Sequence, residues 1–233
     1  MSTTAAGPLA PPRGVDLWTV TLDQPAAREA RLVASCSAGE HARAARMPIA
    51  GRRRDFLVGR GIVRSVLGAY LGISPGRIEI AAGVHGKPFV DARDAPAFNV
   101  SHSHGLAVLA VTAGFDVGID LERVDPSLDV VAIARWLASP EESAHLPSLG
   151  DAASATAFLR LWTRKEARAK AGGAGFSAGL GELSAPSPGS ASPSWDGTRT
   201  IVDIDPAPGY VGALAYDAPP APLYTPDHAL ACL

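Results

Sequence analysis

The chain has 233 residues, 47% of them hydrophobic and 19% charged, so it can bury a core as one large domain or as two small ones. It contains no uncharged apolar run of about 18 residues, and its N-terminus lacks a basic stretch followed by an apolar one, so we expect neither a membrane span nor a signal peptide. The net charge of −2 and the 6% aromatic content argue against nucleic acid as a partner, and two cysteines at opposite ends predict a cytoplasmic protein without a disulfide framework.

In chain order, residues 1–14 are predicted to be a disordered leader. The first predicted helix covers residues 52–71, because its apolar residues recur at helical spacing and Gly72 follows. Short apolar runs then predict strands at 77–83, 105–114 and 117–122.

The second half of the chain shows the same kinds of element. Helices are predicted over residues 127–138 and 152–171, and Gly172 and Gly173 end the second. The remaining segments are predicted as a loop over 184–199, strands at 200–205 and 210–217, and a Pro-rich tail over 218–233.

Helices and strands in both halves predict an α+β fold of two similar α/β lobes. We place an N-terminal lobe at residues 15–115 and a C-terminal lobe at residues 116–217. The seam is then expected near residues 112–118, and a cleft between lobes is a favoured ligand site.

An arginine-rich segment stands out from the otherwise even charge distribution. Between Arg43 and Arg64 the sequence holds seven arginines and one acid, Asp55. Such a segment attracts phosphates or an acidic partner, and the alternative is a solvated helix face.

Two carboxylates lie on the predicted strand VGIDLE at 117–122. Asp120 and Glu122 are two residues apart, so both side chains leave the same face of the strand. Carboxylates about 6–7 Å apart repel each other unless a cation lies between them, and Mg²⁺ takes such oxygen ligands together with waters and phosphate oxygens. The alternative is a solvent-facing strand with two unrelated acids.

A third carboxylate, Glu166, lies on the buried side of the predicted helix 152–171. The apolar stripe of that helix ends one turn before Glu166 and runs through Ala155, Phe158, Leu159 and Trp162. A carboxylate on this face needs a partner if it is buried. The alternative is an exposed pair with Lys170, one turn further on, which stabilises a helix by only about 0.2–0.5 kcal/mol.

Two further segments carry groups that bind phosphate. Ser101 and His102 precede an apolar strand, and a hydroxyl and an imidazole together can bind a phosphate monoester. The alternatives are a turn with exposed histidines, or a metal site at His102 and His104, which lacks a third soft ligand nearby. Lys87 precedes a proline, which holds it extended, although a lone lysine in a turn is ordinarily solvated.

Four motifs in register resemble those of the 4′-phosphopantetheinyl transferases, in the long single-chain Sfp type that activates peptide, polyketide and fatty-acid synthases. The last motif fits the family pattern W-x-x-K-E-A-x-x-K at every fixed position. The order and spacing of the motifs agree with the family over about residues 37–176. The motifs are GKP at 86–88, FNVSHS at 98–103, VGIDLE at 117–122 and LWTRKEARAK at 161–170.

The resemblance implies a reaction and a cofactor. The protein would transfer the 4′-phosphopantetheine group from coenzyme A to a serine of an apo carrier protein, and release adenosine 3′,5′-bisphosphate. Asp120, Glu122 and Glu166 would hold Mg²⁺ against the pyrophosphate, and oxygen ligands leave Mn²⁺ open. The family fold is a pseudo-dimer with the nucleotide between its lobes.

The resemblance also implies binding roles. Lys87 and Lys170 would contact phosphate oxygens, and Ser101 and His102 would bind the 3′-phosphate of the nucleotide. Arg52 and Arg60, with Arg43 behind them, are the candidates for coenzyme A in the arginine-rich segment. Other arginines there would dock the acidic carrier protein, and which arginine meets which partner stays open. We expect a monomer, because one chain holds both lobes.

The predicted chemistry places Glu166 and Lys170 at the reacting groups. Glu166, or a water held by the metal, would take the proton of the carrier serine, and Lys170 would neutralise charge on the leaving group. Two other interpretations are a non-catalytic module that binds a nucleotide or an acidic helix, and a Mg²⁺-dependent phosphohydrolase built on the same acids.

Overall fold

The computed structural model describes residues 9–125, 152–173 and 192–226, together with the single positions 127, 133, 138, 139, 142, 185 and 186. The predicted helix at 127–138 therefore lies almost entirely outside the described residues. None of the described helices is both long and apolar enough to cross a bilayer.

Both halves of the chain contain described helices and strands. A short 3₁₀ turn at Pro75–Arg77 follows the longest helix. The elements are β1 (Val15–Thr21), α1 (Ala26–Ala34), α2 (Ala38–Ala45), α3 (Ala50–Leu71), β2 (Ile80–Ala82), β3 (Pro88–Val90), β4 (Ala97–Ser103), β5 (Leu106–Thr112), β6 (Val117–Arg123), α4 (Ala152–Ala171), β7 (Ser194–Trp195), β8 (Thr200–Ile204), β9 (Tyr210–Tyr216) and β10 (Leu223–Tyr224).

The sheet of the first lobe has the strand order β10–β1–β5–β4, with β10 parallel to β1 and the other pairs antiparallel. Helix α3 covers one face, because Val58, Ile62 and Val66 recur every fourth residue and are fully or almost fully buried. The helix ends where Gly72 adopts a left-handed conformation with φ 65°.

The sheet of the second lobe has the order β6–β9–β8–β7, with all pairs antiparallel. Helix α4 packs on the face that presents Gly118, Ala213 and Ala215, and it meets them with Ala167 and Ala171. These small residues bring the helix backbone close to the sheet. The confirmed two-lobe α+β fold thus places one long helix on each large sheet.

The seam between the lobes is itself a hydrophobic core. Strand β5 is buried along its whole length, because one face packs under α3 and the other packs against the second sheet. Val108 and Ala110 of β5 belong to the same cluster as Ile119 and Leu214 of the second lobe. This double burial explains why β5 reads as a continuous apolar run.

The predicted helices at 52–71 and 152–171 and the strands at 105–114, 117–122, 200–205 and 210–217 are confirmed to within two residues at their ends. The predicted strand 77–83 is observed only as β2 (Ile80–Ala82), and its first predicted residue, Arg77, belongs to the 3₁₀ turn. Ser101 and His102 lie within strand β4 and not in a turn before a strand. Because polar residues occupy alternate positions of β4, this strand is not a continuous apolar run and its sequence did not predict it.

Two segments predicted as leader and tail take part in the fold where the structure describes them. Leu9 packs on the core of the first lobe, and its amide donates to Ala69 O at 2.8 Å. Leu223 and Tyr224 form β10 beside β1. Backbone pairing with an edge strand needs no apolar pattern, so composition alone did not predict this strand.

Candidate active site

The site begins at a close approach of β6 and α4. A Cβ atom on Gly118 would lie 2.1 Å from Ala167 O and 2.3 Å from Ala171 N, so only glycine lets the two backbones meet here. Asp120 lies two residues after Gly118 on β6, and Glu166 lies one residue before Ala167 on α4. Each of the two acids is only 4% exposed. The contact of helix and strand therefore carries both carboxylates into the interior.

Asp120 has one satisfied and one unsatisfied oxygen. Its Oδ1 accepts hydrogen bonds from Ser101 Oγ at 2.9 Å and from Lys170 Nζ at 2.5 Å. Its buried Oδ2 has no partner among the described residues. Burial raises the pKa of Asp120, and the Lys170 ammonium opposes that rise.

The pKa of Glu166 is raised as well. Burial, then the charge of Asp120, raises its pKa to about 7, while Lys170 acts in the opposite direction. Its Oε1 is buried and has no partner within the described ranges. Glu166 therefore interacts electrostatically with the strand acids Asp120 and Glu122. It also lies on the buried side of α4, as the apolar stripe of that helix predicted.

Glu122 stands at the rim of this group. It is half-buried, and its Oε2 accepts a hydrogen bond from Ser103 Oγ at 3.0 Å. Burial and the charge of Asp120 raise its pKa. The three acids influence one another, so they do not lie on separate wet surfaces.

The chemistry of these acids suits a hard divalent cation. A cation would satisfy the partnerless oxygens Asp120 Oδ2 and Glu166 Oε1, whose burial is otherwise costly. Across the described ranges, however, no three His, Cys, Asp or Glu side chains stand close enough together to hold an ion. The acids fit the cation by donor type and charge, and their assignment as ligands stays a prediction.

The two lysines that were predicted to bind phosphate meet at the last turn of α4. Lys170 belongs to that turn, and Lys87 of the first lobe contacts it. Lys170 Nζ also donates to Ile119 O at 3.2 Å. Lys87 Nζ pairs with Asp116 Oδ1 at 2.8 Å and donates to Ala171 O at 3.0 Å, which joins the first lobe to the end of α4. Lys87 therefore contacts the residue that follows Lys170 on α4.

A cavity of about 320 Å³ opens beside Lys87. It does not include the three acids, and it lies just past the end of α4. Residues of both lobes line it: Gly83, Val84, His85, Lys87, Pro88, Phe89, Ala97 and Phe98 from the first, and Asp116, Gly172 and Gly173 from the second. The sequence predicted Lys87 in this set and missed Asp116.

Ser101 and His102 do not face the same side. Ser101 is buried on the face of β4 that meets β6, whereas His102 is exposed on the other face. Alternation along a strand requires this separation. Their joint binding of one phosphate stays a prediction, and the described hydrogen bonds of the Ser101 hydroxyl are with Asp120 and Lys170.

Several arginines of the arginine-rich segment have acidic partners. Arg60 and Arg64 both pair with Glu40, at 2.9 and 2.7 Å. Arg54 pairs with Glu29 at 2.6 Å. Within the segment from Arg43 to Arg64, all of which the structure describes, the arginines that form no ion pair are Arg43, Arg46, Arg52 and Arg53. Arg52 is exposed, whereas Arg60 is largely committed to Glu40.

Sequence reasoning missed two polar residues of β4, Asn99 and Ser103. Both are buried and both bond to β6, through Ile119 N and Glu122 Oε2. The signal was present in FNVSHS, where polar and apolar residues alternate. A strand pattern with a polar inner face predicts a polar partner strand.

Two family models together match most of the chain. One, described as 4′-phosphopantetheinyl transferase, N-terminal, matches residues 23–114. The other, described as the 4′-phosphopantetheinyl transferase superfamily, matches residues 116–204. Their ranges adjoin between β5 and β6.

Curated proteins of the same description are similar to the chain. The 4′-phosphopantetheinyl transferase HetI of Nostoc sp. (strain PCC 7120) is 42% identical over 165 residues, which cover 70% of this chain and 70% of that protein. The 4′-phosphopantetheinyl transferase of Bacillus subtilis is 29% identical over 72% of this chain and 75% of its own length. The 4′-phosphopantetheinyl transferase AcpT of Salmonella typhi is 33% identical over 59% and 69%.

Proposed function

The chain belongs to the 4′-phosphopantetheinyl transferase superfamily and transfers 4′-phosphopantetheine from coenzyme A to carrier proteins, and we propose that Asp120, Glu122 and Glu166 direct this transfer around one divalent cation. The observation that supports this most is the pair of buried oxygens on Asp120 and Glu166 that have no hydrogen-bond partner among the described residues and lie beside the Lys170 ammonium. Mg²⁺ is the preferred ion, and Mn²⁺ has the same ligand chemistry.

In the reaction, the hydroxyl oxygen of a carrier serine forms a bond to the β-phosphorus of coenzyme A. The bond from that phosphorus to the bridging pyrophosphate oxygen breaks, and adenosine 3′,5′-bisphosphate leaves with the electron pair. Glu166 accepts the serine proton. When bound, the cation neutralises negative charge on the pyrophosphate oxygens.

The lysines of both lobes hold the phosphate groups. Lys170 already orients Asp120 and can share its ammonium protons with the leaving group. Lys87, which is tied to the end of α4 through Ala171 O, lies beside the cavity at the seam. We propose lobe limits of 15–115 and 116–217, with the nucleotide between the lobes and one chain sufficient for activity.

The experiment is transfer to an apo carrier protein. Purified protein, coenzyme A, MgCl₂ and the carrier are mixed, and intact mass spectrometry is expected to show a gain of one phosphopantetheine group. Glu166→Gln is expected to lower the rate about 10²–10⁴-fold. Glu79→Gln, at an exposed position, is the matched control and is expected to retain the wild-type rate. An unchanged rate in Glu166→Gln contradicts the assigned role.

The arginines of this segment without acidic partners are proposed to meet the acidic carrier, and for Arg52 this proposal replaces the coenzyme A contact that the family resemblance implies. Arg52→Ala is expected to raise KM for the carrier a fewfold at low salt, and the difference is expected to shrink as salt screens the charges. Arg93→Ala is the control, because Arg93 is an exposed arginine outside this segment. A KM effect on coenzyme A alone, independent of salt, contradicts carrier docking by Arg52.

A further inference from the structure

Three side chains of β4 in the first lobe, Asn99, Ser101 and Ser103, lie two residues apart and form hydrogen bonds to β6 of the second lobe. Asn99 Oδ1 accepts from Ile119 N at 2.9 Å. The hydroxyls at positions 101 and 103 donate to the carboxylates at positions 120 and 122, at 2.9 and 3.0 Å. The inner face of β4 is therefore complementary, residue by residue, to the acidic face of β6.

The hydroxyl of Ser103 has little freedom. Ser103 is 7% exposed, and its oxygen accepts the Arg123 amide at 3.2 Å. His104 Nδ1 lies 3.0 Å away and can donate to the same oxygen when that nitrogen carries the proton. In that tautomer both lone pairs are engaged, and the single hydroxyl proton is directed to Glu122 Oε2.

Glu122 needs such an anchor more than Asp120 does. It is half-buried, its side chain has more rotatable bonds, and the like charge of Asp120 repels it toward solvent. Asp120 is fixed by Ser101 and Lys170 together, whereas Ser103 donates the one described hydrogen bond to the Glu122 carboxylate. Without the Ser103 hydroxyl, the Glu122 carboxylate is free to turn away from the other two acids.

We propose that Ser103 is a positioning residue for the divalent cation, because its hydroxyl holds the Glu122 carboxylate across the seam, on the face of β6 that also carries Asp120. This inference rests on the proposed metal role of Asp120, Glu122 and Glu166. It has a structural consequence: all three acids belong to the second lobe, but the group that orients Glu122 belongs to the first. Packing of the two lobes then determines the strength of metal binding as well as the shape of the cleft.

The test measures Mg²⁺ affinity directly, by isothermal titration calorimetry in the presence of coenzyme A. Ser103→Ala is expected to bind Mg²⁺ about tenfold more weakly, as is usual when a group that orients a metal ligand is removed. Its transfer rate is expected to recover at high Mg²⁺ concentration. Ser103→Thr keeps the hydroxyl and is expected to restore most of the affinity. Ser65→Ala, which removes a buried hydroxyl of α3 away from the acids, is the matched control and is expected to bind as the wild type does.

Three outcomes overturn the inference. Wild-type Mg²⁺ affinity in Ser103→Ala, while Glu122→Gln loses binding, removes the role of Ser103 and leaves the proposed metal site intact. A wild-type protein that shows no Mg²⁺ binding removes the metal site and this inference with it. Equal losses in Ser103→Ala and Ser103→Thr, accompanied by a lowered unfolding temperature, show a packing role in place of an orienting one.

Discussion

At the scale of single residues, the feature that matters most is the compensation of buried charge. Asp120 and Glu166 are both almost inaccessible, yet each keeps an oxygen without a hydrogen-bond partner in the described structure. Lys170 supplies one positive charge for the three acids. The folded protein therefore carries an electrostatic cost here that a bound cation would relieve.

That cost predicts how stability depends on pH. The pKa of Glu166 is raised from 4.5 to about 7, so between these values the folded state binds protons that the unfolded state does not. The contribution of Glu166 to the free energy of unfolding accordingly falls as pH rises from about 4.5 through 7, and this contribution does not fall further above pH 7. Without divalent ions, Glu166→Gln is expected to be about 2 kcal/mol more stable than the wild type at pH 8, and close to it at pH 5.

Thermal unfolding in EDTA at the two pH values checks this. Glu79→Gln, at an exposed position, controls for the general effect of removing a negative charge. The same difference in unfolding temperature at pH 5 and pH 8 contradicts the raised pKa of Glu166.

At the scale of elements, the contact between β6 and α4 decides whether the site exists. Helix α4 lies on alanines and on Gly118, and the acids flank that contact. On the other side of the helix, Arg164 donates to both oxygens of Asp203 in β8, at 2.8 and 2.6 Å. Small residues set the distance of the helix from the sheet, and the arginine limits its rotation.

Gly118→Ala tests this contact. The added methyl group would meet backbone atoms, which cannot swing aside as a side chain can, so we expect a loss of about 3 kcal/mol and a large loss of transfer activity. Gly51→Ala is the control, because no atom lies within 4 Å of its Cβ position. Urea unfolding measures both variants, and equal midpoints would show that α4 can move away from the sheet at little cost.

At the scale of the whole molecule, the two lobes are held together by more than their apolar seam. After β9 the chain returns to the first lobe, where Val15 N donates to Pro222 O at 3.0 Å and β10 pairs with β1. On the way, Ala221 N donates to the Tyr216 hydroxyl at 3.0 Å. The end of the described chain thus spans from the second sheet to the first.

Removal of every residue after Asp217 is expected to lower the free energy of unfolding by about 2 kcal/mol, because β1 loses its neighbour on that edge. The substitution Tyr216→Phe, which removes only the hydroxyl contact, is expected to cost about 1 kcal/mol. Urea unfolding followed by tryptophan fluorescence measures both, since Trp18 lies on β1. A truncated chain as stable as the full one contradicts a role in holding the lobes.

The sequence by itself determined much of this protein. Apolar periodicity located α3, α4 and the strands β5, β6, β8 and β9, because those elements bury one face or both. It also predicted that Asp120 and Glu122 share one face of a strand and that Glu166 and Lys170 lie one turn apart on a helix. Both relations are local geometry, i,i+2 on a strand and i,i+4 on a helix. The four family motifs are local stretches of sequence, and the family they indicate is the one that the family models match.

Only the tertiary structure decided which groups those side chains meet. The bond from Ser101 to Asp120, that from Ser103 to Glu122, the pairing of Arg60 with Glu40 and the return of β10 all join residues that are far apart in the chain. Polar contacts of this kind carry no periodic signal of their own. They form because packing of the two sheets brings buried donors and acceptors together, and each of those groups must then find a partner.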